Sequence, residues 1–224
     1  MKTLSREQSI LLFLGFSEAC LLLLSNFLAG VIWGFDLPLP GNQTFHFVQD
    51  GGILTFPLIY IITDLIVELY GRKVADRVAT FTFWINAAAL IFCFIASLLP
   101  VIPDTGSEIA QQAISFSARI SLASIIAFYA AQLINNRCFE WIRNHSKHSA
   151  FWKRSLLSSL AARCFDTIFF NLAAFLGHSP LMVLIEQIIW AIIVPLILEA
   201  CLNPITKLLA VKLGSAQEKA DLES

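Results

Sequence analysis

The chain is poor in charged residues. Only 14% of its 224 residues are Asp, Glu, Lys or Arg, while 57% are hydrophobic and the mean hydropathy is +0.73. Soluble domains are about 25% charged and about 45–50% apolar. This composition excludes an ordinary soluble domain, and a net charge of −1 gives no sign of a nucleic-acid-binding surface. We therefore expect an integral protein of the lipid bilayer.

The sequence also lacks the motifs of common catalytic classes. Without a GxxxxGK[ST] loop the chain cannot hydrolyse ATP in the P-loop manner, so any ATP drive needs a partner ATPase. It has neither HExxH nor GxSxG, its four histidines fall in predicted connections, and its five cysteines show no CxxC or Cys/His spacing. We expect no enzymatic activity, no metal and no cofactor.

Six apolar segments have the length of a membrane-spanning helix, which needs about 20 mostly apolar residues. The predicted spans are 10–34, 52–70, 78–100, 113–136, 156–177 and 181–203. The connections between them are too short for a separate soluble domain. The sequence therefore predicts an all-α, polytopic protein in which residues 1–224 form a single domain of six transmembrane helices.

Lys and Arg residues are confined to one side of these spans. Thirteen of the 15 flank the predicted helices at the two termini and after the second and fourth spans. The three opposite connections, 35–51, 101–112 and 178–180, contain none. The positive-inside rule then predicts that both termini are cytoplasmic, in a multi-pass protein of the cell (inner) membrane. The other two cations, Arg119 and Arg163, lie within spans and are candidates for function.

Two carboxylates interrupt the second span, in the segment FPLIYIITDLIVELYGRKVADR. A carboxylate near the bilayer centre costs about 2.5–3.5 kcal/mol on insertion scales and normally faces a bundle interior or a water-filled cavity. Asp64 and Glu68 are four residues apart and share one helical face. We interpret Asp64 as a functional residue. For Glu68 two interpretations stay open, a functional role or solvation at the cytoplasmic rim.

The fourth span carries a polar stripe at helical spacing. Its members are Ser117, Ser121, Ser124, Phe128, Gln132 and Asn135. The serines could simply allow close helix packing, and the two amides could belong to the cytoplasmic end. Arg119 projects from nearly the opposite face, where it either serves function or extends to water at the membrane surface.

The fifth span places Arg163 and Asp166 three residues apart near mid-membrane. They could form a structural ion pair, although ionisable groups at this depth more often line a pathway. Other spans add polar groups, among them Asn26. Glu186 and Glu199 lie toward opposite rims of the sixth span, where we expect both to be solvated.

Several spans thus contribute carboxylate, amide or guanidinium groups at similar depth, with many aromatic residues around them. This lining suits a small planar polar ligand. A purine-like ring offers N–H donors to a carboxylate, a carbonyl to amide or guanidinium donors, and a face to aromatic rings.

The chain resembles the queuosine-precursor transporter family, also called the vitamin uptake transporter family. That family is itself similar to the substrate-binding membrane subunits of energy-coupling-factor importers. The resemblance covers nearly the whole chain and rests on Ser25-Asn26, FPLIYIITDLIVELYG, ARISLASIIAFYAAQ and SSLAARCFDTIFFNLAAF, in this order and spacing.

The resemblance implies a six-helix importer of a 7-deazaguanine base such as preQ0, preQ1 or queuine, which are precursors of the tRNA nucleoside queuosine. The family's polar positions correspond to Asn26, Asp64, Glu68, Arg119, Ser124, Gln132 and Asp166. We expect Asp64 and Asp166 to accept the ring N–H groups and Glu68 to help recognise an amino substituent. Asn26, Gln132 and Arg163 are the predicted donors to ring acceptors. The chain departs from the family pattern where Asn135 replaces an expected acidic residue and Arg163 replaces an expected amide.

The sequence therefore predicts an importer that binds a nucleobase-like molecule between its helices. One alternative is the substrate-binding subunit of an energy-coupling-factor importer for another vitamin, driven by a partner ATPase. A membrane scaffold or intramembrane enzyme is a third class, against which the missing motifs and the short external loops argue.

Overall fold

The computed structural model describes residues 5–39, 43–102, 106–145, 151–175 and 181–222. Helices dominate these residues, and a β-hairpin follows the first helix. In chain order the elements are α1 (Arg6–Leu28), β1 (Ile32–Leu39), β2 (Gln43–Asp50), a 3₁₀ turn (Gly51–Leu54), α2 (Phe56–Tyr70), α3 (Arg72–Ser97), α4 (Ser107–His145), α5 (Phe151–Phe175) and α6 (Leu181–Leu222).

The short helix α2 lies at the centre of the bundle. Nine of its 15 residues are buried, and it packs against α1, α3, α4, α5 and α6. At about 1.5 Å per residue, 15 residues extend only about 22 Å. The helix ends at Gly71, whose φ of +80° favours glycine, and α3 begins at the next residue. Because α2 is surrounded by other helices, its Asp64 is buried within the protein.

Large apolar side chains cover the outside of the bundle. Phe81, Trp84 and Phe92 on α3 are each more than 60% exposed, as lipid-facing residues of a membrane protein would be. Among the described residues, four segments have the length and apolarity of a membrane span: Arg6–Leu28, Arg72–Ser97, Phe151–Ala173 and Leu184–Leu213. The prediction of an all-α, multi-pass membrane protein is confirmed at this level, while α2 and α4 are not among the four.

The hairpin is the largest departure from the sequence prediction. The first span was expected to continue to Gly34, but α1 ends at Leu28 and an antiparallel hairpin with eight residues in each strand follows. Aromatic residues explain it, because Phe35 pairs with Phe47 in the strand register and stacks on it with ring centroids 4.9 Å apart. Phe47 is buried and also contacts Trp190 of α6 at 5.9 Å. These contacts hold the hairpin against the bundle.

The last helix is longer than predicted and contains two prolines, Pro195 and Pro204. The fourth helix likewise extends beyond its predicted span, to His145. Both extensions lie on the cation-rich side of the predicted topology, where polar helix ends can be solvated.

Candidate functional site

A cavity lies within the bundle beneath the hairpin. With its open mouth, which includes space open to solvent, it contains about 1040 Å³. Its walls come from the end of α1, the end of β2, the start of α2, and from α4, α5 and α6. The polar residues that line it are Ser25, Asn26, Gln49, Asp50, Ser124, Arg163, Asp166, Thr167, Asn171 and Gln187.

The cavity joins charged groups to neutral donors and acceptors. Asp166 is 9% exposed, and Arg163 lies one helical turn away on the same wall. Across the cavity, Ser124 donates to Asn26 Oδ1 over 2.7 Å. Phe56 and Phe170 add aromatic surface to the lining. This set can accept N–H groups, donate to a carbonyl and contact a flat ring.

The hairpin closes one side of the cavity through the end of β2. Gln49 Nε2 donates to the backbone carbonyl of Gln187 over 3.4 Å, and Asp50 Oδ1 accepts from the backbone N–H of Gly52 over 2.7 Å. Burial raises the pKa of the Asp50 carboxyl group, and the hydrogen bond from Gly52 partly offsets this effect. Gly51 fits tightly, because a Cβ there would lie 2.7 Å from the carbonyl oxygen of Leu28.

Arg163 links the cavity to a buried ion pair. Its Nη2 donates to Glu199 Oε2 over 3.3 Å, and its guanidinium lies 4.6 Å from the ring centroid of Tyr60. The sequence left open an ion pair between Arg163 and Asp166, but the partner is Glu199. The expectation that Glu199 is solvated was wrong, since its exposed fraction is 0%. Glu199 lies near the middle of α6 and not at its end, because the helix continues well beyond the predicted span.

Asp64 is fully buried but does not line the cavity. Its Oδ1 accepts from Asn135 Nδ2 over 2.8 Å, and its Oδ2 accepts from the hydroxyl of Ser155 over 2.5 Å. Asn135 was expected to be an acidic residue by resemblance. As an amide, it can donate to Asp64, which a second carboxylate could do only if it were protonated.

Gln132 belongs to a separate buried network. Its Nε2 donates to Thr63 Oγ1 over 2.8 Å, and Thr63 Oγ1 lies 3.2 Å from Glu18 Oε2. Glu18 is 1% exposed. Within the described part of the chain no cation pairs with Glu18. Glu18 is therefore another buried acid whose neighbours are hydroxyl and amide groups.

Glu68 lies at the end of α2 away from the hairpin. Its Oε1 pairs with Arg154 Nη2 at 2.6 Å, and its side chain is 26% exposed. This position matches the solvated-rim interpretation better than a place in the cavity. Arg119 lies in α4, but its side chain is outside the part of the chain that the structure describes.

Of the predicted site residues, four line the cavity together: Asn26, Ser124, Arg163 and Asp166. Three others, Asp64, Glu68 and Gln132, make their contacts elsewhere. No sequence signal selected Gln49 and Asp50, because polar residues are common in a predicted loop. Asn171 and Gln187 were visible as intramembrane amides, but nothing in their spacing tied them to Asp166.

Residues 50–209 match the family described as "Putative vitamin uptake transporter". This match spans well over half of the chain. The chain belongs to the vitamin uptake transporter family. The matched residues include Asp50 and continue through α6 beyond Glu199, so they contain most of the cavity lining and the whole of the buried ion pair.

Three queuosine precursor transporters, two of them named as probable, are similar to this family member. The "Probable queuosine precursor transporter" of Haemophilus influenzae is 26% identical over 182 residues, which cover 79% of this chain and 75% of that protein. The protein of the same name from Bacillus subtilis is 27% identical over 58% of this chain and 57% of its own length. The "Queuosine precursor transporter" of Escherichia coli is 31% identical over 55% of this chain and 54% of its own length. No solved structure matches the chain.

Proposed function

We propose that this protein imports a queuosine precursor, a 7-deazaguanine base, across the cytoplasmic membrane. The observation that carries the proposal is a polar, partly aromatic cavity inside the membrane bundle of a vitamin uptake transporter family member. The names of the three relatives supply the substrate class. The substrate is moved without chemical change.

The cavity residues suggest how such a base is recognised. Asp166 accepts ring or exocyclic N–H groups, because a carboxylate offers two acceptor oxygens. Arg163 donates to the ring carbonyl, and Asn26 and Asn171 serve the remaining ring atoms. Phe56 and Phe170 contact the ring face. In this arrangement the other predicted residues, Asp64, Glu68 and Gln132, act behind the cavity rather than on the base.

The membrane topology belongs to the same proposal. In it the chain crosses the membrane six times, so both termini lie on the same side. That side is the cytoplasm and the hairpin lies on the outer face, because the segment that forms the hairpin contains no Lys or Arg. The cavity then lies in the outer half of the bundle. Alternating access would release the base to the cytoplasm.

The test is recovery of queuosine in the tRNA of cells that can neither make nor import its precursors. Cells expressing this chain are given preQ0, preQ1 or queuine separately, and queuosine in tRNA is measured by mass spectrometry. We expect recovery with at least one base, which also names the substrate. No recovery with any base, despite confirmed membrane expression, would contradict the proposal.

A pair of neighbouring variants controls this experiment. Asn26→Leu removes an amide from the cavity and fills it, so queuosine recovery should fall at least tenfold. Phe27→Leu changes an adjacent residue of α1 that is 60% exposed and does not line this cavity. Phe27→Leu should support recovery like the unmodified chain. Equal recovery by both variants would remove this cavity from the transport route.

A further inference from the structure

Two buried carboxyl groups share one hydroxyl outside the cavity. Asp64 on α2 and Glu199 on α6 both have an exposed fraction of 0%. Ser155 Oγ on α5 lies 2.5 Å from Asp64 Oδ2 and 3.1 Å from Glu199 Oε1. We call these three residues the carboxyl bridge. None of them lines the cavity.

The hydrogen atoms of the bridge can be counted. A serine hydroxyl has one hydrogen and can donate it to only one of the two carboxyl groups. The other contact is favourable only if that carboxyl group carries a proton and donates it to Ser155 Oγ. Among the neighbouring donors, Asn135 donates to Asp64 Oδ1 and Arg163 to Glu199 Oε2. The hydroxyl of Ser159 is a further donor to Glu199, but it does not supply the missing hydrogen between Ser155 and the second carboxyl group.

The charged groups around the bridge also indicate that it holds one proton. Around the bridge, α5 contributes Arg163 and, farther away, Asp166, while α2 contributes the hydroxyl of Tyr60. The residue that α4 presents is the neutral Asn135. The acid of α1, Glu18, contacts Thr63 instead. One guanidinium therefore faces two carboxyl groups, and an uncompensated buried charge costs several kcal/mol.

We infer that the carboxyl bridge binds one exchangeable proton and that this proton is co-transported with the base. One proton on Asp64 or Glu199 makes the bridge and Arg163 neutral together. The inference rests on the proposed function and adds the driving force to it. No bond of the base is broken, and nothing is oxidised or reduced.

Arg163 connects the proton to the ligand, because it lines the cavity and also pairs with Glu199. A ring carbonyl that accepts from Arg163 draws the guanidinium away from Glu199. Glu199 then holds a proton more tightly, because the cation that favoured its ionised form has moved. Linkage is reciprocal, so a protonated bridge also frees Arg163 to bind the base.

The proton's exit route follows the same helices. Asp64 is one helical turn from Glu68, whose partner Arg154 precedes Ser155 in the chain. The Glu68 side chain is 26% exposed at the cation-rich end of the bundle. One proton thus enters with the base on the cavity side and leaves the bridge toward Glu68. Each uncharged base moves together with one positive charge.

The experiment uses the full chain reconstituted in liposomes that contain a pH-sensitive dye. The first probe is preQ0 (7-cyano-7-deazaguanine), because it carries no charge of its own. PreQ1 and queuine are tested next. Adding the base outside should acidify the interior. An acid-outside gradient should drive accumulation by about tenfold per pH unit at one proton per base, since one pH unit corresponds to about 1.4 kcal/mol.

Base exchange without a pH gradient separates the two proposals. Exchange of labelled for unlabelled base without internal acidification would overturn the proton site and leave the importer intact. Absence of exchange with all three bases would overturn the importer, and the proton site with it.

Variants locate the proton. Glu199→Gln and Asp64→Asn should lower gradient-driven accumulation at least tenfold more than they lower exchange. Ser155→Ala is a smaller change that should act in the same direction if those variants fail to fold. Glu18→Gln alters a buried acid outside the bridge and should keep the ratio of accumulation to exchange. An unchanged ratio in the folded bridge variants would overturn the assignment.

Discussion

The two halves of the bundle use the same polar residue types in different ways. The half beneath the hairpin is the outer half in the proposed topology, and the half around the carboxyl bridge is the inner half. In the outer half, Asp166 and the amides around it face an open cavity. In the inner half, Asp64 and Glu199 face hydroxyl, amide and guanidinium partners within hydrogen-bond distance. An intramembrane carboxylate therefore does not identify a ligand contact by itself. What separates the two halves is whether the protein already supplies its partner.

The largest expected effect is on the inner half. Arg163→Met leaves Glu199 buried without its cation, and breaking such a pair typically costs about 3–5 kcal/mol. We expect a corresponding loss in the free energy of unfolding, measured in detergent by denaturant titration. The double variant Arg163→Met with Glu199→Leu should recover most of that loss, because both charges are removed.

A partly exposed ion pair provides the matched control for that experiment. Arg72 pairs with Glu140 at 2.9 Å, with side chains 36% and 29% exposed. Arg72→Met should cost less than about 1 kcal/mol. If Arg163→Met were no more destabilising than Arg72→Met, the inner half would not be a stabilised network.

The next effect is on the outer half and concerns binding instead of stability. Asp166→Asn removes a charged acceptor from the cavity, and a hydrogen bond to a charged group is worth about 1.5–3 kcal/mol, roughly 10-fold to 150-fold in affinity. We expect the Kd of the transported base to rise by this factor, measured by calorimetry on the purified protein. The free energy of unfolding should change little, and a large loss there would assign Asp166 a structural role.

An intermediate effect should follow from the attachment of the hairpin. In Gly51→Ala the new Cβ would lie 2.7 Å from a backbone oxygen, so the hairpin has to shift at a cost of about 1–3 kcal/mol. Uptake should fall several-fold in the cell assay. Gly15→Ala is the control, because its Cβ would meet Val78 at an ordinary 3.5 Å. Equal uptake by the two variants would mean that the hairpin does not shape the cavity.

The smallest effect is expected at Glu68. Its pair with Arg154 lies outside the cavity, where Glu68 cannot contact the base. Glu68→Gln should lower the rate of base exchange by less than about threefold. If Glu68→Gln lowered the rate of base exchange as much as Asp166→Asn does, Glu68 would belong to the binding site. The two halves would then not differ in the way described.

The sequence predicted the class of protein and four of the residues that line the cavity, and the reasons for these results are physical. Apolar length and confined cations indicate a membrane protein without any tertiary information. Asn26, Ser124, Arg163 and Asp166 were found because polar groups are rare within spans. Glu199 was missed because its partner, Arg163, lies on another helix, and pairing between helices leaves no periodic signal. The hairpin was missed because a short aromatic run after an apolar helix resembles the end of that helix.

Pro195 gives the cavity a further property. It lies inside α6 and lines the cavity, as does Ala191, four residues earlier. Proline has no N–H, so the carbonyl of Ala191 lacks the helical hydrogen bond that residue 195 would otherwise donate. The helix beside the cavity therefore contains a main-chain acceptor that is uncharged at every pH and that substitution of Ala191 would leave in place. A proline in the helix can thus help to recognise a ring N–H through the peptide backbone.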